Sequence, residues 1–273
     1  MRRRSRLGLR WRATIREVIK QVMIPKATKG DSRSVRPEVN HILQTLPAEE
    51  YTKLLPHLQA VSLVQNQVLF DVGRRIAGGY FVNTGLVSAL TVMQNGDSVE
   101  VGLLGHEGFA GLPILLNIAH SSARITVQIA GEAMRINSEA LHNLLPQLPM
   151  LERLLSRFTY LQALQAQQIA ACNGLHDIDE RLARWLLMTQ DRVRLEILPL
   201  TQELMAGMLG TRRSSVTVAA GILQEAGIID YRRGQVHILN RAKLEDASCE
   251  CYPAVRRQLH SYLNTGLLPR PEI

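Results

Sequence analysis

The sequence predicts a mixed α+β fold, in which an amino-terminal β-roll precedes a long helix and a small helical unit that ends in a hairpin. Three patterns predict this order: short apolar runs separated by turn residues over 61–136, a long uncharged helical pattern after Arg157, and two short helices with a hairpin after Pro199. With 273 residues, of which 46% are hydrophobic and 21% charged, the chain can bury a substantial core.

These patterns divide the chain into five parts. We expect a basic arm, a β-roll of jelly-roll type, a long helix, a helical unit with its hairpin and a carboxy-terminal extension, which cover 1–36, 37–148, 149–176, 177–247 and 248–273. Whether the extension folds tightly stays open at this point.

The positive charge is concentrated in the arm. The formal net charge is +8, yet residues 1–40 hold 12 Lys and Arg against 3 Asp and Glu, so the rest of the chain is close to neutral. The basic composition therefore does not by itself indicate nucleic-acid binding. No apolar core with a cleavage site follows the arginines, and no stretch suits a membrane-spanning helix. We expect a disordered tail or an over-long start, although transit peptides are also Arg-rich and acid-poor.

Strand and turn signals alternate in the β-roll. Val68-Leu69-Phe70, Tyr80-Phe81-Val82 and Leu86–Met93 are strand-like, and Asn83-Thr84-Gly85 is predicted as a turn between the last two. Asn95-Gly96 predicts a tight hairpin after Met93.

A long helix is predicted from about Leu151 to Cys172, with Asn173-Gly174 as its carboxy-terminal cap. Its apolar side chains include Leu154, Phe158, Leu161 and Leu164, and no charge occurs between Arg157 and Asp177. A second copy of the helix would explain this pattern, and packing against the chain's own β-roll is the alternative.

The segment 201–225 predicts two helices joined by a tight turn. Thr201 and Thr211 are expected to cap the helices, and Gly210 to supply the turn. Val216, Ala219 and Leu223 share the inward face of the second helix. The outward face of its amino-terminal half carries Arg212, Arg213, Ser214 and Thr217. Arginine at this place can bind guanine through two hydrogen bonds in the DNA major groove.

A basic hairpin follows directly. Ile228–Tyr231 and Val236–Leu239 are strand-like, and Arg232-Arg233-Gly234-Gln235 forms the turn between them. Residues 207–243 hold six cations, including Arg241 and Lys243, against two acids, which gives a local balance of +4. Phosphate binding needs such a local excess.

The order of a β-roll, a long uncharged helix and a winged helix-turn-helix resembles the Crp-Fnr family of bacterial transcription regulators over about residues 40–245. The resemblance implies a cytoplasmic homodimer that binds double-stranded DNA and contacts RNA polymerase, and not an enzyme. It implies Arg213, Ser214 and Thr217 as base-reading residues. It also implies phosphate contacts from Thr201, Thr211, Arg212, Arg232 and Arg233. The rival interpretation is a ligand-binding or protein-interaction module that uses the helix-turn-helix only for assembly.

In relatives that bind cyclic nucleotides, a Gly-Glu pair and an Arg-Ser-Ala run hold the phosphate. The matching residues here are Gly105, Glu107, Gly108, Ser121, Ser122 and Ala123. Ser121 replaces the phosphate-binding arginine, so we predict that cAMP and cGMP are not the effector, although Arg124 lies nearby. An unidentified small-molecule effector stays open, as does a purely structural role for this segment.

Three cysteines predict a reducing compartment and exclude a disulfide framework. The first 171 residues contain no cysteine, so the iron–sulfur chemistry of the family's oxygen sensors is not expected. Cys172 is interpreted as a packed thiol on the long helix. Cys249-Glu250-Cys251 could bind a metal or react with oxidants, but no well-spaced histidine or second thiol pair accompanies it, so no metal is predicted. The eight histidines are scattered singly, and no catalytic motif is present.

Overall fold

The computed structural model describes residues 39–264, so the predicted basic arm and the last nine residues of the extension lie outside the described part. An antiparallel sheet forms the first half of the fold, in the strand order β1-β6-β3-β4, with β2 paired to β6 and β5 paired to β3. The strands are β1 (Leu58–Leu63), β2 (Val68–Phe70), β3 (Gly78–Val92), β4 (Ser98–Leu104), β5 (Phe109–Ala110) and β6 (Arg124–Asn137).

Two short helices precede the sheet, α1 (His41–Thr45) and α2 (Ala48–Leu54), followed by a 3₁₀ turn. Asn40 begins α1 and is fully buried. Its side-chain oxygen accepts hydrogen bonds from the first turn of the helix, and its amide donates to the carbonyls of Val82 and Gly108, each at 2.8 Å. This one side chain therefore joins the helix start to the sheet.

The predicted turn at Asn83-Thr84-Gly85 is wrong, because β3 continues through it without a break. The pairing of β3 with β6 shifts register at three places between Val82 and Val87, and Gly85 has a φ of 86°. These are the marks of β-bulges, which use the same residue types as turns but bend a strand instead of ending it. The hairpin at Asn95-Gly96 is present, with β3 and β4 antiparallel on either side.

After the sheet come α3 (Ser138–Leu144), a second 3₁₀ turn and the long helix α4 (Pro149–Leu175). The cap predicted at Asn173-Gly174 is wrong, since α4 runs on to Leu175. Gly174 does not adopt the left-handed conformation that a glycine cap requires.

The last part of the described chain is a winged helix-turn-helix with three further helices. Its helices are α5 (Ile178–Val193), α6 (Gln202–Leu209), α7 (Arg213–Glu225), α8 (Arg241–Asp246) and α9 (Cys251–Asn264). Its strands are β7 (Ile197–Leu198), β8 (Ile229–Arg232) and β9 (Gln235–Ile238), in the order β7-β9-β8. Asp177 and Glu180 form a reciprocal capping box at the start of α5.

The described residues form two large hydrophobic cores. In the first, α4 covers the β-roll together with α1, α2 and α9. In the second, α5 and the winged helix-turn-helix pack against Leu86, Leu103 and Ile129 of the same sheet. Among the described residues, no helix is both long and apolar enough to cross a membrane.

Candidate nucleic-acid interface

The helix-turn-helix forms where the sequence predicts it. The Thr201 hydroxyl oxygen accepts a hydrogen bond from the Leu204 N–H at 3.2 Å and caps α6. Gly210 adopts the left-handed conformation, with a φ of 58°. Its N–H donates a hydrogen bond to the Ala206 carbonyl and so ends α6. Ala206 and Gly210 are both small, which allows α6 and α7 to cross closely.

The predicted cap at Thr211 is wrong. Helix α7 begins at Arg213 with Arg212 in the cap position, and no side chain accepts from its first N–H groups. Thr211 lies one residue too early, and its own N–H donates to the Ala206 carbonyl at 3.0 Å. The amino-terminal N–H groups of α7 are therefore not occupied by a side-chain cap.

The two faces of α7 separate as predicted. Val216, Ala219 and Leu223 are at most 2% exposed. The outward residues Arg212, Arg213, Ser214 and Thr217 are all exposed. Neither Arg212 nor Arg213 has an ion-pair partner within residues 39–264.

The Thr217 hydroxyl already makes hydrogen bonds within the helix-turn-helix, which the sequence did not predict. Its hydroxyl lies 2.9 Å from the Gln202 side-chain oxygen and 3.0 Å from the Arg213 carbonyl, so its proton has acceptors within the motif. The same face also carries Val218 and Ile222, which are 63% and 50% exposed. Valine and isoleucine usually pack inward, so hydrophobicity alone does not predict this exposure, although Val218 occupies a position where relatives in the Crp-Fnr family often have an arginine.

The wing is the hairpin of β8 and β9. Arg232 pairs with Gln235, and the two-residue turn has φ angles of 51° at Arg233 and 76° at Gly234. Positive φ at both central residues is typical of the type I′ turn, whose twist suits a hairpin. Both arginines are exposed, and Arg232 donates to the Asp230 carboxylate at 2.9 Å.

The wing tip lies beside the start of α6. A Cβ atom placed on Gly234 would be 3.1 Å from the Thr201 methyl group. The Tyr231 N–H also donates to the side chain of Gln224 near the end of α7, at 2.9 Å. The basic turn and α7 are thus held on one rigid unit.

Arg241 does not belong to this basic surface. It donates to Asp191 and Glu245, at 2.6 and 2.9 Å, and to the side chain of Gln190. The local net charge of +4 refers to residues 207–243, which include Arg241. Its acidic partners Asp191 and Glu245 lie outside that range. Its charge is therefore neutralised inside the fold.

The residues expected to form an effector pocket make contacts with other parts of the same chain. We use the name glutamate loop for Gly105–Gly108, between β4 and β5. The Glu107 carboxylate is fully buried and accepts a hydrogen bond from the Arg192 guanidinium of α5 at 2.7 Å. Arg192 also donates to the Gln165 side-chain oxygen of α4 at 2.9 Å. One buried network therefore joins the β-roll, the long helix and the first helix of the DNA-binding-type unit.

The glycines of the glutamate loop allow this close approach. A Cβ on Gly105 would lie 2.9 Å from the Arg192 Cβ, and a Cβ on Gly108 would lie 2.5 Å from the Phe158 ring. Both distances are shorter than real Cβ contacts. Glycine at these two places is explained by packing against α5 and α4, without a bound nucleotide.

The second half of the expected pocket is also occupied by contacts within the chain. Ser121 is buried, and its hydroxyl donates to the Ala123 carbonyl at 2.7 Å, while Ser122 is exposed. Arg124 makes two hydrogen bonds to the Asp71 carboxylate, at 3.0 and 3.3 Å, which lower the pKa of Asp71. Two surface cavities, of about 350 and about 550 Å³, are lined by other residues.

A second buried acid lies between the sheet and α5. Glu100 of β4 accepts hydrogen bonds from the Ser88 hydroxyl at 2.6 Å and from the Trp185 indole N–H at 3.0 Å. Burial raises the pKa of Glu100 to about 7. Its protonation state therefore changes near neutral pH at the contact between the β-roll and α5.

The long helix buries its apolar face within one chain. Leu154, Phe158 and Leu161 are at most 4% exposed and belong to the β-roll core, and Leu164 is half-buried. The burial of Leu154, Phe158 and Leu161 in the β-roll core favours the alternative interpretation, packing on the chain's own β-roll, whereas Leu164 keeps an accessible side. Gln162 and Gln165 reach the Leu103 carbonyl, at 3.4 and 3.2 Å.

The three thiols do not lie apart from each other in the fold. In the sequence, no well-spaced histidine accompanies Cys249 and Cys251, and Cys172 is predicted to be a packed thiol. In three dimensions Cys172 and His176, from the end of α4, lie next to both carboxy-terminal cysteines. Sequence spacing alone could not reveal this, because the two halves come from opposite ends of the winged unit.

Two family models match the chain. A cyclic nucleotide-binding domain matches residues 60–147, and a Crp-like helix-turn-helix domain matches residues 180–247, which together are more than half of the chain. Among curated proteins, none matches.

Solved structures share the fold at low sequence identity. FixK2 from Bradyrhizobium japonicum has a TM-score of 0.61 at 17% identity, and the match covers 70% of this chain and 98% of that one. The c-di-GMP responsive global regulator CLP of Xanthomonas campestris has a TM-score of 0.58 at 19% identity, with coverages of 70% and 99%. A CRP-family transcriptional regulator from Thermus thermophilus has a TM-score of 0.57 at 18% identity, with coverages of 69% and 96%.

Proposed function

The chain belongs to the Crp-Fnr family of transcription regulators, and on this premise we propose that it binds a two-fold symmetric DNA site as a homodimer. The observation that carries the proposal is the exposed amino-terminal half of α7, where Arg212 and Arg213 have no ion-pair partner among the described residues and lie beside a basic wing. Such a helix end is the part that enters the major groove in helix-turn-helix proteins.

Arg213 is the proposed main base-reading residue, with Ser214 and Thr217 beside it. A guanidinium can bind guanine O6 and N7 through two hydrogen bonds, which distinguishes guanine from the other bases by about 1–3 kcal/mol. Val218 adds an apolar side chain at the same surface, and its exposure suits contact with a thymine methyl group. The preferred half-site therefore contains a guanine next to a thymine-containing step.

The phosphate contacts are proposed to come from Arg212, from Thr201 and from the wing arginines Arg232 and Arg233. The position of Gly234 beside Thr201 supports a single phosphate-binding edge. Thr211 is half-buried at the turn, and its hydroxyl is proposed as a further phosphate contact because it has no capping role. These contacts supply affinity that depends on salt and not on sequence.

A different face of α4 is proposed to form the dimer contact. We call it the neutral stripe, and it comprises Tyr160, Ala163, Gln167, Ala170, Ala171 and Gly174. All six residues are exposed, and they recur at helical spacing without any charge. Small side chains let two helices approach closely, and the partner stripe would cover Tyr160, which is 66% exposed.

The β-roll is proposed to work without cyclic nucleotide. The arginine that would pair with the phosphate is absent, Glu107 is paired with Arg192, and Arg124 is held by Asp71. Instead, the glutamate loop transmits the position of the β-roll to α5 and so to α7. An effector of another chemistry would have to act through this contact.

Regulation of transcription also requires RNA polymerase and the chromosome. We include a contact with RNA polymerase and a cytoplasmic location in the proposal, because a regulator that binds promoter DNA acts where both are present.

The experiment that separates this proposal from an assembly module is a mobility-shift assay of the purified full-length protein on a pool of random duplexes, over a range of salt concentrations. We expect a subset of duplexes to stay bound as salt rises, because base contacts persist when phosphate contacts weaken. Binding of all duplexes to the same extent at every salt concentration, or no binding, would overturn the proposal.

A further inference from the structure

A compact group of four metal-binding side chains lies where α4 meets the carboxy-terminal helix. We call it the thiol cluster, and it comprises Cys172, His176, Cys249 and Cys251. One donor atom from each residue lies within 4.8 Å of the other three. The cysteines are at most 3% exposed, and the His176 side chain is 16% exposed.

The distances suit a single ion in a tetrahedral site. The sulfur atoms of Cys172 and Cys249 are 3.5 Å apart, and the Cys251 sulfur is 3.6 Å from His176 Nδ1. Zinc bonds of about 2.3 Å to sulfur and about 2.0–2.1 Å to nitrogen give tetrahedral edges of about 3.8 and about 3.6 Å. A disulfide needs a sulfur–sulfur distance of about 2.05 Å, and all three cysteines are free.

His176 is oriented as a ligand by a neighbouring carboxylate. Its Nε2 lies 3.0 Å from a carboxylate oxygen of Glu250, and its Nδ1 faces Cys251. When Nε2–H donates to Glu250, the lone pair of Nδ1 points towards the thiols. A carboxylate behind the imidazole is the usual support of a metal-bound histidine.

The sulfur of Cys251 has a donor of its own. The Gln168 side-chain amide donates to it at 3.0 Å. An N–H donor stabilises negative charge on sulfur, as a metal-bound thiolate requires.

Two arginines of α5, the buried Arg184 and the half-buried Arg181, interact electrostatically with the cluster. Three thiolates, a neutral imidazole and a divalent cation would carry a net charge of −1. Arg184 is 2% exposed, has no ion pair within residues 39–264, and its Nε has no hydrogen-bond partner there. It acts electrostatically on Cys172, and Arg181, whose Nε is also unpartnered, acts on Cys172 and Cys249. Glu100 already interacts electrostatically with Arg184, and an anionic metal site would add to the compensation of this buried guanidinium.

We propose that Cys172, His176, Cys249 and Cys251 bind one Zn²⁺ ion. Soft thiolates with an imidazole select zinc among the common divalent cations, and four protein ligands leave no open position, as in structural sites. All four donors surround one small space, whereas an iron–sulfur cluster places its cysteines on different irons.

The position of the site gives the ion a structural role. His176 directly precedes Asp177, the cap of α5, so the ion would fix the turn from which α5 leaves α4. Cys249 and Cys251 begin the segment that forms α9, and α9 packs against the first core. The ion would therefore fasten the carboxy-terminal helix to the end of the long helix.

The test is Co²⁺ titration of the full-length protein after reduction and chelation, followed by displacement with Zn²⁺. We expect one equivalent of Co²⁺ per chain with the absorption of a tetrahedral thiolate complex, loss of that absorption on Zn²⁺ addition, and thiols that react with a disulfide reagent only after a chelator removes the metal. Absence of the tetrahedral spectrum in the reduced protein would overturn the proposal, and so would a Cys172–Cys249 disulfide formed without any metal binding.

Three variants keep the test independent of folding. Glu250→Ala changes a 79% exposed side chain, so the protein should fold while its metal affinity falls about 10–100-fold. Cys251→Ser should abolish the tetrahedral spectrum, and His57→Ala, at an exposed histidine outside the cluster, should bind like the wild type. Equal metal affinity in the wild type, Glu250→Ala and Cys251→Ser would refute the assignment.

Discussion

The Arg192 guanidinium and the Glu107 carboxylate form an ion pair of 2.7 Å between two different parts of the fold, with side chains that are 2% and 0% exposed. Glu107 belongs to the loop that would hold a cyclic nucleotide, and Arg192 belongs to the helix that leads into the helix-turn-helix. The pair therefore fixes the position of the DNA-binding unit on the β-roll.

Removal of one partner should be strongly destabilising. Glu107→Ala leaves the buried Arg192 charge without compensation, and we expect a loss of about 3–5 kcal/mol in the free energy of unfolding. A double-mutant cycle with Glu107→Gln and Arg192→Met, followed by urea unfolding, should give a coupling energy of about 1–3 kcal/mol. The matched control is the Asp71–Arg124 pair, which is about 40% exposed and should couple much more weakly, because solvent and salt screen it. Additive effects at both pairs would show that the buried contact does not join the domains.

Glu100 should make stability depend on pH. Because burial raises its pKa from 4.5 to about 7, the folded state keeps a proton that the unfolded state releases. Stability is therefore lost as pH rises from about 4.5 to about 7 and changes little above that, by an amount of the order of 3 kcal/mol. Unfolding of the wild type and Glu100→Gln across this range should show the slope only in the wild type. The exposed control Glu152→Gln should keep the wild-type slope, and a slope retained in Glu100→Gln would assign it to another group.

The neutral stripe should control the oligomeric state. Ala170→Arg places a charge in the centre of the proposed helix–helix contact, so light scattering should show monomers at concentrations where the wild type is dimeric. Val64→Arg is the control, because Val64 is a 64% exposed apolar residue away from α4. A dimer that survives Ala170→Arg would place the interface on another surface.

Cyclic AMP should not bind at micromolar concentration. The phosphate-binding arginine is missing, and the cations Arg192 and Arg124 are already paired with Glu107 and Asp71. Calorimetric titration of the full-length protein with cAMP is expected to show no heat of binding. Tight binding that is lost in both Glu107→Ala and Ser122→Ala would contradict this reading of the β-roll.

The fold could be predicted from the sequence because each part has a local signal. Hydrophobic spacing, Asn95-Gly96 and Gly210 identified the β-roll, its hairpin and the helix-turn-helix. Local signals misled at Asn83–Gly85, where turn residues form bulges, and at Asn173-Gly174, where the helix continues. A turn and a bulge use the same residues, and only strand pairing separates them.

The contacts that join the parts could not be predicted. The spacing of Leu154 and Phe158 correctly predicts a buried face of α4, but it does not identify the part of the protein that covers this face. Nothing in the sequence pairs Arg192 with Glu107, because the two residues are 85 positions apart and meet only in the fold. The thiol cluster is likewise invisible in the sequence, since Cys172 and Cys249 meet only through tertiary packing.

The role of α7 in reading DNA can be measured by selection from a random duplex library with the full-length wild type and with Arg213→Ala. We expect the wild type to enrich two symmetric half-sites whose centres lie about one helical turn apart, each with a guanine. Arg213→Ala should bind non-specific DNA with little change but lose about 1–3 kcal/mol of preference at that guanine. The same motif enriched equally by both proteins, or no motif with the wild type, would contradict the assignment of α7 as the DNA-reading helix.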